Sequence, residues 1–159
     1  MARDLGLKPS SLLKKLRPLV NNGLLVFREG HARIGINPEF GYVVGVDLGG
    51  SHLHFALADF QGEILDDSTV KIRPEDGPRK LIAQIKEGAR GLAAKVRHGR
   101  LRAVAIGVPS AVDGERGVVA FANNLPGWKD IHLGHALEKE LRVPVFMEND
   151  CTMAAIGKR

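Results

Sequence analysis

A short glycine-containing turn after an apolar stretch carries the first residues that could bind a ligand. Val43–Val46 is apolar, and Asp47, Gly49, Gly50 and Ser51 precede a stretch that alternates apolar with other residues. This pattern is typical of a buried strand, a tight turn and a second strand. The glycines let backbone N–H groups approach a phosphate, the serine adds a hydroxyl, and the aspartate can hold a phosphate-bound Mg²⁺. These four residues are therefore a predicted nucleotide phosphate site; the alternative is an ordinary hairpin whose glycines adopt positive φ.

A second polar group follows another apolar stretch near the end of the chain. Val143–Met147 is typical of a buried strand, and it leads directly into Glu148, Asn149 and Asp150. Residues 151–159 then predict the start of a helix. An aspartate immediately before a helix suits the N-cap position, so Asp150 has a structural explanation beside any role in ligand binding.

Composition excludes several classes of protein. The 159 residues are 44% hydrophobic and 26% charged, which is typical of a globular protein. No apolar run approaches the roughly 20 residues of a membrane span, and no signal-peptide pattern follows Met1. The single cysteine, Cys151, cannot form an internal disulfide and suits a reducing cytoplasm. We therefore expect a cytoplasmic protein with no membrane partner, and we assign no metal site.

Positive charge is concentrated near the N-terminus. Residues 1–46 carry seven basic and three acidic side chains, so four of the chain's five net positive charges lie there. The pattern predicts the tail of a helix ending at Gly6, a second helix through Leu12–Val20, and a basic hairpin between Leu24 and Ile36. Helix, glycine turn, helix and hairpin is the order of a winged helix-turn-helix. The alternative is a small amphipathic helix with a solvated basic face.

In a winged helix-turn-helix the second helix would enter the major groove of DNA, and the hairpin would lie near phosphates. The candidate DNA-binding residues are Ser10, Ser11, Lys14, Lys15 and Arg17 on the helix and Arg28, His31 and Arg33 on the hairpin. Pro18 would cost about 3 kcal/mol inside a helix, so we expect a kink or a break there. We find no leading helix for the motif, so residues 1–37 are predicted to be a partial winged helix-turn-helix.

Residues 42–159 alternate predicted strands and helices. After the hairpin of residues 43–59, a third strand is predicted near 67–72, an amphipathic helix within 74–98 and a buried strand over Leu101–Val108. A turn at 111–114, a short helix over Leu133–Leu141 and the strand Val143–Met147 follow. The order β-β-β-α-β-α-β-α is that of an actin-like (ribonuclease H-like) nucleotide-binding lobe with a mixed sheet. The predicted fold class is α/β.

Four segments in this part of the chain carry recognisable motifs: Val44–Ser51, Ile106–Pro109, Asn123–Trp128 and Val143–Asp150. In that order they resemble the first phosphate loop, the Gly-x-Pro strand end, the sugar-pocket segment and the catalytic-aspartate strand of the ROK family. That family contains bacterial sugar-responsive repressors and ATP-dependent sugar kinases. The basic segment that precedes the lobe resembles the repressor branch.

The resemblance implies a role for several residues. Asp150 would be the general base that accepts a proton from a sugar hydroxyl as it attacks the γ-phosphate of ATP. Asn124 and Asn149 would bind sugar hydroxyls together with Asp150, each amide supplying a donor and an acceptor. Trp128 would support the pocket loop. ATP and Mg²⁺ would be cofactors only if kinase activity is retained.

The sequence also departs from the family pattern. The family usually has threonine at the position of Ser51 and lysine or asparagine at that of His52. It usually has glycine at the position of Ser110 and glutamate at that of Lys158. The family's Glu-x-Gly-His sugar contacts, its cysteine-rich zinc loop and its second lobe have no counterpart in the sequence. Because an actin-like fold closes on ATP between two lobes, we expect a truncated lobe that is not an active kinase as given.

Two functions are compatible with these residues. The favoured one is a sugar-responsive transcriptional regulator, in which a sugar effector bound by the lobe changes the affinity of the basic segment for operator DNA. The alternative is an ATP-dependent sugar (hexose) kinase with Asp150 as general base. The basic segment favours the regulator, since catalysis gives no reason for it. We expect a homo-oligomer in a longer parent protein.

Overall fold

The computed structural model describes residues 6, 8–28, 33–96, 99–122 and 124–157. Within these residues the helices are α1 (Pro9–Asn21), α2 (Gly77–Ala93), α3 (Leu133–Leu141) and α4 (Asp150–Gly157). The strands are β1 (Leu25–Arg28), β2 (Arg33–Ile36), β3 (Tyr42–Leu48), β4 (His52–Asp59), β5 (Ile64–Lys71), β6 (Leu101–Val108), β7 (Ala111–Asp113), β8 (Val118–Phe121), β9 (Lys129–Ile131) and β10 (Val145–Asn149). None of these helices is long and apolar enough to cross a membrane.

Helix α1 is followed by an antiparallel hairpin, in the order that the sequence predicts. Arg28 of β1 pairs with Arg33 of β2. Of the kink or break expected at Pro18, the break was wrong, because α1 continues to Asn21. The proline lies in the last turn, where its missing N–H removes a single helical hydrogen bond, and the amide of Asn22 donates to the Pro18 oxygen at 3.0 Å. The predicted helix tail before Gly6 lies largely outside the described residues, and His31 lies entirely outside them.

The central sheet has five strands in the order β10-β6-β3-β4-β5. Strand β3 is antiparallel to β4, with Val46 opposite Phe55, and β4 is antiparallel to β5. Strand β6 is parallel to both β3 and β10. The prediction of a mixed sheet is therefore confirmed. The third strand begins at Ile64, earlier than expected, and the last runs on to Asn149.

Helices α2 and α3 bury one face of this sheet. Leu81, Ile85, Ala89 and Leu92 form the buried stripe of α2. Phe55 is fully buried in the same core, and a side chain at Gly88 would lie 2.4 Å from its ring. Burying a phenylalanine of this kind contributes about 2 kcal/mol, and the missing side chain at Gly88 lets the helix approach closely enough to obtain it. The other face of β6 carries Gly107, which lies beneath α4.

A second, three-stranded sheet in the order β7-β8-β9 was not predicted. Ala111 pairs with Phe121 and Asp113 with Val118, so the expected turn at 111–114 is wrong and the chain reverses at 114–117 instead. The loop between β8 and β9 is closed by backbone hydrogen bonds, from the Ala122 amide to the Trp128 oxygen and from the Trp128 amide to the Leu125 oxygen.

The N-terminal elements join the sheet at the end where β3 begins. The guanidinium of Arg102 lies 3.8 Å from the centre of the Phe40 ring, and it donates to the Phe40 oxygen through Nε at 3.0 Å and Nη2 at 2.7 Å. The ring of Phe60 meets that of Phe40 edge-on at 5.1 Å. Gln61 Nε2 donates to the Ile36 oxygen at 2.7 Å. Burial, with a smaller contribution from the charge of Arg100, lowers the pKa of Arg102.

Candidate functional site

A cleft of about 490 Å³ lies at the end of the central sheet where β3 stops and α4 begins. Asp47, from the end of β3, and Asp150, the first residue of α4, both line it. Gly107 of β6 lies between them, because it pairs with Asp47 on one side and with Glu148 of β10 on the other. A side chain at Gly107 would begin 3.5 Å from the Asp150 Cα, so the floor of the cleft is backbone.

The turn after β3 brings the other predicted phosphate-binding residues to the same end of the sheet. The turn does join the two strands of an antiparallel hairpin, but neither Gly49 nor Gly50 has a φ in the left-handed region, so positive φ does not explain the two glycines. A side chain at Gly49 would lie 2.9 Å from the His52 ring, whereas one at Gly50 would meet nothing within 4 Å. The Gly49 amide already donates to the His52 oxygen at 2.9 Å. The donors that remain for a phosphate are the Gly50 amide and the amide and hydroxyl of Ser51.

Two histidines flank this turn. His52 Nε2 lies 4.0 Å from the carboxylate of Asp47, and its Nδ1 lies 3.5 Å from the Ser51 hydroxyl. His54 lines the cleft and pairs with Asp67 at 3.2 Å. In β4 both histidines alternate with the buried Leu53 and Phe55, and this alternation is the sequence signal that puts the two imidazoles on one face. Among the described residues, no cluster of His, Cys, Asp and Glu is arranged to hold a metal ion.

The corner between β10 and α4 is organised by Asn149. Its Oδ1 accepts hydrogen bonds from the amides of Cys151 at 3.0 Å and Thr152 at 3.2 Å, which is the N-cap arrangement. The structural explanation offered for Asp150, that it is the N-cap, is therefore wrong. Asp150 Oδ1 accepts from the Cys151 amide at 2.8 Å. That carboxylate keeps a second oxygen that can meet a ligand in the cleft.

The same hydrogen bonds limit the number of donors and acceptors that the Asn149 side chain has left for a ligand. Its oxygen accepts two amides, and its Nδ2 donates to the Ser110 oxygen at 3.2 Å. A side-chain amide has two N–H donors, so one N–H of Asn149 is left for a sugar hydroxyl.

Asn124 is not part of the cleft lining among the described residues. It is exposed on the closed loop between β8 and β9, where Leu125 and Trp128 are each 1% exposed. The buried indole shows that Trp128 supports this loop from the core. Asn124 is connected to the Asp150 corner through Phe121 and Ser110, because the Ser110 hydroxyl donates to the Phe121 oxygen at 2.6 Å.

Seven of the candidate DNA-binding residues lie on the N-terminal elements, and none of them lines the cleft. Their side chains are all exposed: Ser10, Ser11, Lys14, Lys15 and Arg17 on α1, Arg28 on β1 and Arg33 on β2. Strands β3 and β4 connect this region to the cleft, since they run from the Phe40 junction to the turn that follows Asp47.

Comparison with known proteins identifies the family to which residues 43–159 are similar and several related proteins. The family profile described as ROK family matches residues 43–159. A putative xylose repressor of Caldicellulosiruptor sp. (strain Rt8B.4) is 29% identical over 152 residues, which are 89% of this chain and 38% of the repressor. A glucokinase of Thermotoga maritima is 33% identical over 121 residues, which are 74% of this chain and 36% of that enzyme. The chain therefore spans well under half the length of these relatives.

A solved structure extends the similarity to the N-terminal elements. The crystal structure of a ROK family transcriptional regulator, homologous to the E. coli MLC protein, is 25% identical and superposes with a TM-score of 0.80. That match covers 99% of this chain and 42% of the regulator. The α/β fold with a mixed sheet is thus shared with a ROK regulator along nearly the whole chain.

Proposed function

The chain belongs to the ROK family, and from that premise we propose that it acts as a sugar-responsive transcriptional regulator. The observation that carries the proposal is the extent of the matches. The family profile begins at residue 43 and the Thermotoga maritima glucokinase covers 74% of the chain, whereas the solved ROK regulator covers 99% of it. The basic N-terminal elements are therefore shared with a regulator and are additional to the part shared with the kinase.

The sugar would bind beside Asp150. The free oxygen of its carboxylate can accept from a sugar hydroxyl, and the remaining N–H of Asn149 can donate to one. Asn124, which is exposed on its loop, has an uncommitted amide to add a further pair of bonds when the sugar is present. Xylose and glucose are the first candidates, because the relatives include a xylose repressor and a glucokinase.

The DNA contact would be made by α1 and the hairpin, as a winged helix-turn-helix. The exposed cations Lys14, Lys15 and Arg17 lie on one side of α1, and Arg28 and Arg33 lie opposite each other in the hairpin. Such a basic surface suits contact with the phosphates of a duplex, and the hydroxyls of Ser10 and Ser11 can add bonds to phosphate or bases. The proposal implies a cytoplasmic location, and a homo-oligomer would match the repeated half-sites of an operator.

Coupling between sugar and DNA would use the strands that connect the two regions. Strands β3 and β4 reach the cleft at one end, and at the other end Gln61, which follows β4, donates to the Ile36 oxygen of the hairpin. A ligand that displaces the turn after Asp47 would therefore change the position of the hairpin relative to the sheet. This coupling requires that the two positions of the hairpin correspond to states with different affinity for the sugar.

The alternative function is an ATP-dependent sugar kinase, favoured by the presence of Asp47 and Asp150 in one cleft. The open space at Gly50 and the Ser51 hydroxyl fit a phosphate, and the Asp47 carboxylate fits a hard cation such as Mg²⁺. Bound ATP would supply the phosphoryl group. Asp150 would hold the sugar hydroxyl and accept its proton.

One experiment separates these functions. Duplexes selected by the chain from a random-sequence DNA pool are tested for binding with and without D-xylose or D-glucose, and the same protein is assayed for sugar-dependent ADP formation. A regulator should select a sequence and lose or gain affinity for it when one sugar is added. ADP formation without any selected sequence would support the kinase and refute the regulator.

A further inference from the structure

Ser110 lies where β6 leaves the central sheet, between the corner that carries Asp150 and the loop that carries Asn124. Its amide donates to the Val108 oxygen at 2.8 Å, which fixes a tight reversal at this point. The family resemblance places a glycine at this position, and a glycine could make that backbone bond equally well. The serine hydroxyl therefore supplies a hydrogen-bond donor that the backbone of the turn does not require.

On one side, Ser110 is held by the corner of α4. Asn149 Nδ2 donates to the Ser110 oxygen at 3.2 Å, while Asn149 Oδ1 accepts the first amides of α4. Because Asn149 immediately precedes Asp150, the bond ties the Ser110 backbone to the residue that sets the position of the Asp150 carboxylate.

On the other side, the Ser110 hydroxyl reaches the small sheet. Its oxygen lies 2.6 Å from the Phe121 oxygen and 3.1 Å from the Ala111 oxygen. A hydroxyl has one proton to donate, and the shorter distance assigns it to Phe121. Phe121 is the last residue of β8, and the loop with Asn124 follows it directly.

Described residues of the loop that follows Phe121 are bonded to each other and anchored in the core. Its ends are joined by the bonds between Ala122 and Trp128, and Leu125 and Trp128 are anchored in the core. We expect a displacement of the Phe121 carbonyl to move Ala122, and with it the bonded part of the loop that carries Asn124. The Ser110 hydroxyl bonds to the residue that precedes this loop, while the Ser110 backbone oxygen bonds to Asn149 beside Asp150.

We propose that Ser110 is a positioning residue of the sugar site, which holds the Asn124 loop at a fixed distance from Asp150. This inference rests on the proposed sugar-binding function. The ligand class is a monosaccharide whose hydroxyls would form hydrogen bonds with Asn124 and Asp150 at the same time. The affinity for the sugar would then depend on the spacing of the two side chains. Ser110 does not touch the sugar in this arrangement; it acts through the loop.

The test compares Ser110→Ala with Ser110→Thr in the full chain, by calorimetric titration with D-xylose and D-glucose. Loss of one neutral hydrogen bond should weaken binding of the preferred sugar about fivefold in S110A. S110T keeps the hydroxyl and should retain affinity near that of the unmodified chain. Ser68→Ala, a serine on the distant strand β5, is the matched control and should not change affinity.

A second readout distinguishes positioning from general loss of structure. Amide hydrogen exchange at Ala122 and Trp128 should become faster in S110A and not in S110T, while exchange in α2 stays the same in both. Should S110A fail to fold, the comparison is made with a Ser110→Cys variant, whose weak thiol donor should give the same loss of affinity.

The outcomes are separable. Sugar binding that is equal in the unmodified chain and in S110A, with S110T also unchanged, would overturn the role of Ser110 and leave the proposed function intact. A chain that binds neither sugar in any form would overturn the sugar-binding proposal, and the role of Ser110 with it.

Discussion

Asp47 and Asp150 face one cleft from opposite sides of Gly107, although they are 103 positions apart in the printed sequence. Parallel pairing of β6 with both β3 and β10 produces this arrangement, because it brings the carboxyl ends of all three strands to one edge. Ligand sites in α/β sheets commonly lie at this edge. The relationship places two carboxylates in one cleft; in the proposed functions the sugar would lie near Asp150, and in the kinase alternative a phosphate would lie near Asp47.

Replacing Asp150 by asparagine tests the proposed sugar contact in the cleft. The change keeps the shape of the side chain and removes the charge, so a charge-assisted bond to a sugar hydroxyl becomes a neutral one. Affinity for the preferred sugar should fall about tenfold by calorimetry. Asp113→Asn, on the small sheet, is the matched control and should leave affinity unchanged. Equal affinity in the Asp150 and Asp113 variants would contradict the assignment.

The two glycines of the turn should respond differently to alanine. Gly49→Ala places a methyl group against the His52 ring, so it should lower the free energy of unfolding by about 1 kcal/mol and move the His52 resonances. Gly50→Ala meets open space and should change that free energy by less than about 0.5 kcal/mol. Denaturant titration of both variants provides the measurement. An equal loss in the two would show that His52 does not lie against Gly49.

The basic face of α1 can be tested through salt. Lys14→Ala combined with Lys15→Ala should weaken binding to the selected duplex and reduce the slope of log affinity against log salt by about two. A double variant with the same charge change in the lobe, Lys129→Ala with Lys139→Ala, is the control. Identical slopes in the two double variants would exclude α1 from the DNA contact.

Arg142 offers a test of stability that is independent of function. It ends α3 with a φ of 58°, in the left-handed region that favours glycine, and its amide donates to the Glu138 oxygen. Arg142→Gly should stabilise the protein by about 1 kcal/mol, which would raise the melting temperature by about 3 °C. Arg142→Ala keeps the steric strain and should not. Calorimetric melting of both variants decides between them.

Much of the sheet could be predicted from local pattern. The alternation in β4 places Phe55 and Leu57 in the core and the histidines on the other face, because side chains in a strand alternate across the sheet. The helical stripe from Leu81 to Leu92 is equally informative. These patterns arise from burial on one face, which a single sequence records directly.

The small sheet and the corner at Asp150 could not be predicted in the same way. Strands of three or four residues, such as Ala111–Asp113, are too short for alternation to be distinguished from a turn. At the corner, Asn149 and Asp150 are both good N-cap residues, and the choice of Asn149 depends on contacts with Ser110, which is distant in sequence. Tertiary contacts of this kind leave no local signal.

The stacking of Arg102 on Phe40 has a consequence for how the molecule melts. Phe40 follows the hairpin and lies just before β3, so its ring and the carbonyl to which the guanidinium donates twice would stay with the sheet if α1 and the hairpin detached. Detachment would break the hydrogen bond from Gln61 Nε2 to the Ile36 oxygen and leave the start of β6, in the middle of the five-stranded sheet, intact. The helix and hairpin should therefore open at a lower temperature than the sheet, so the basic surface would be lost before the lobe melts.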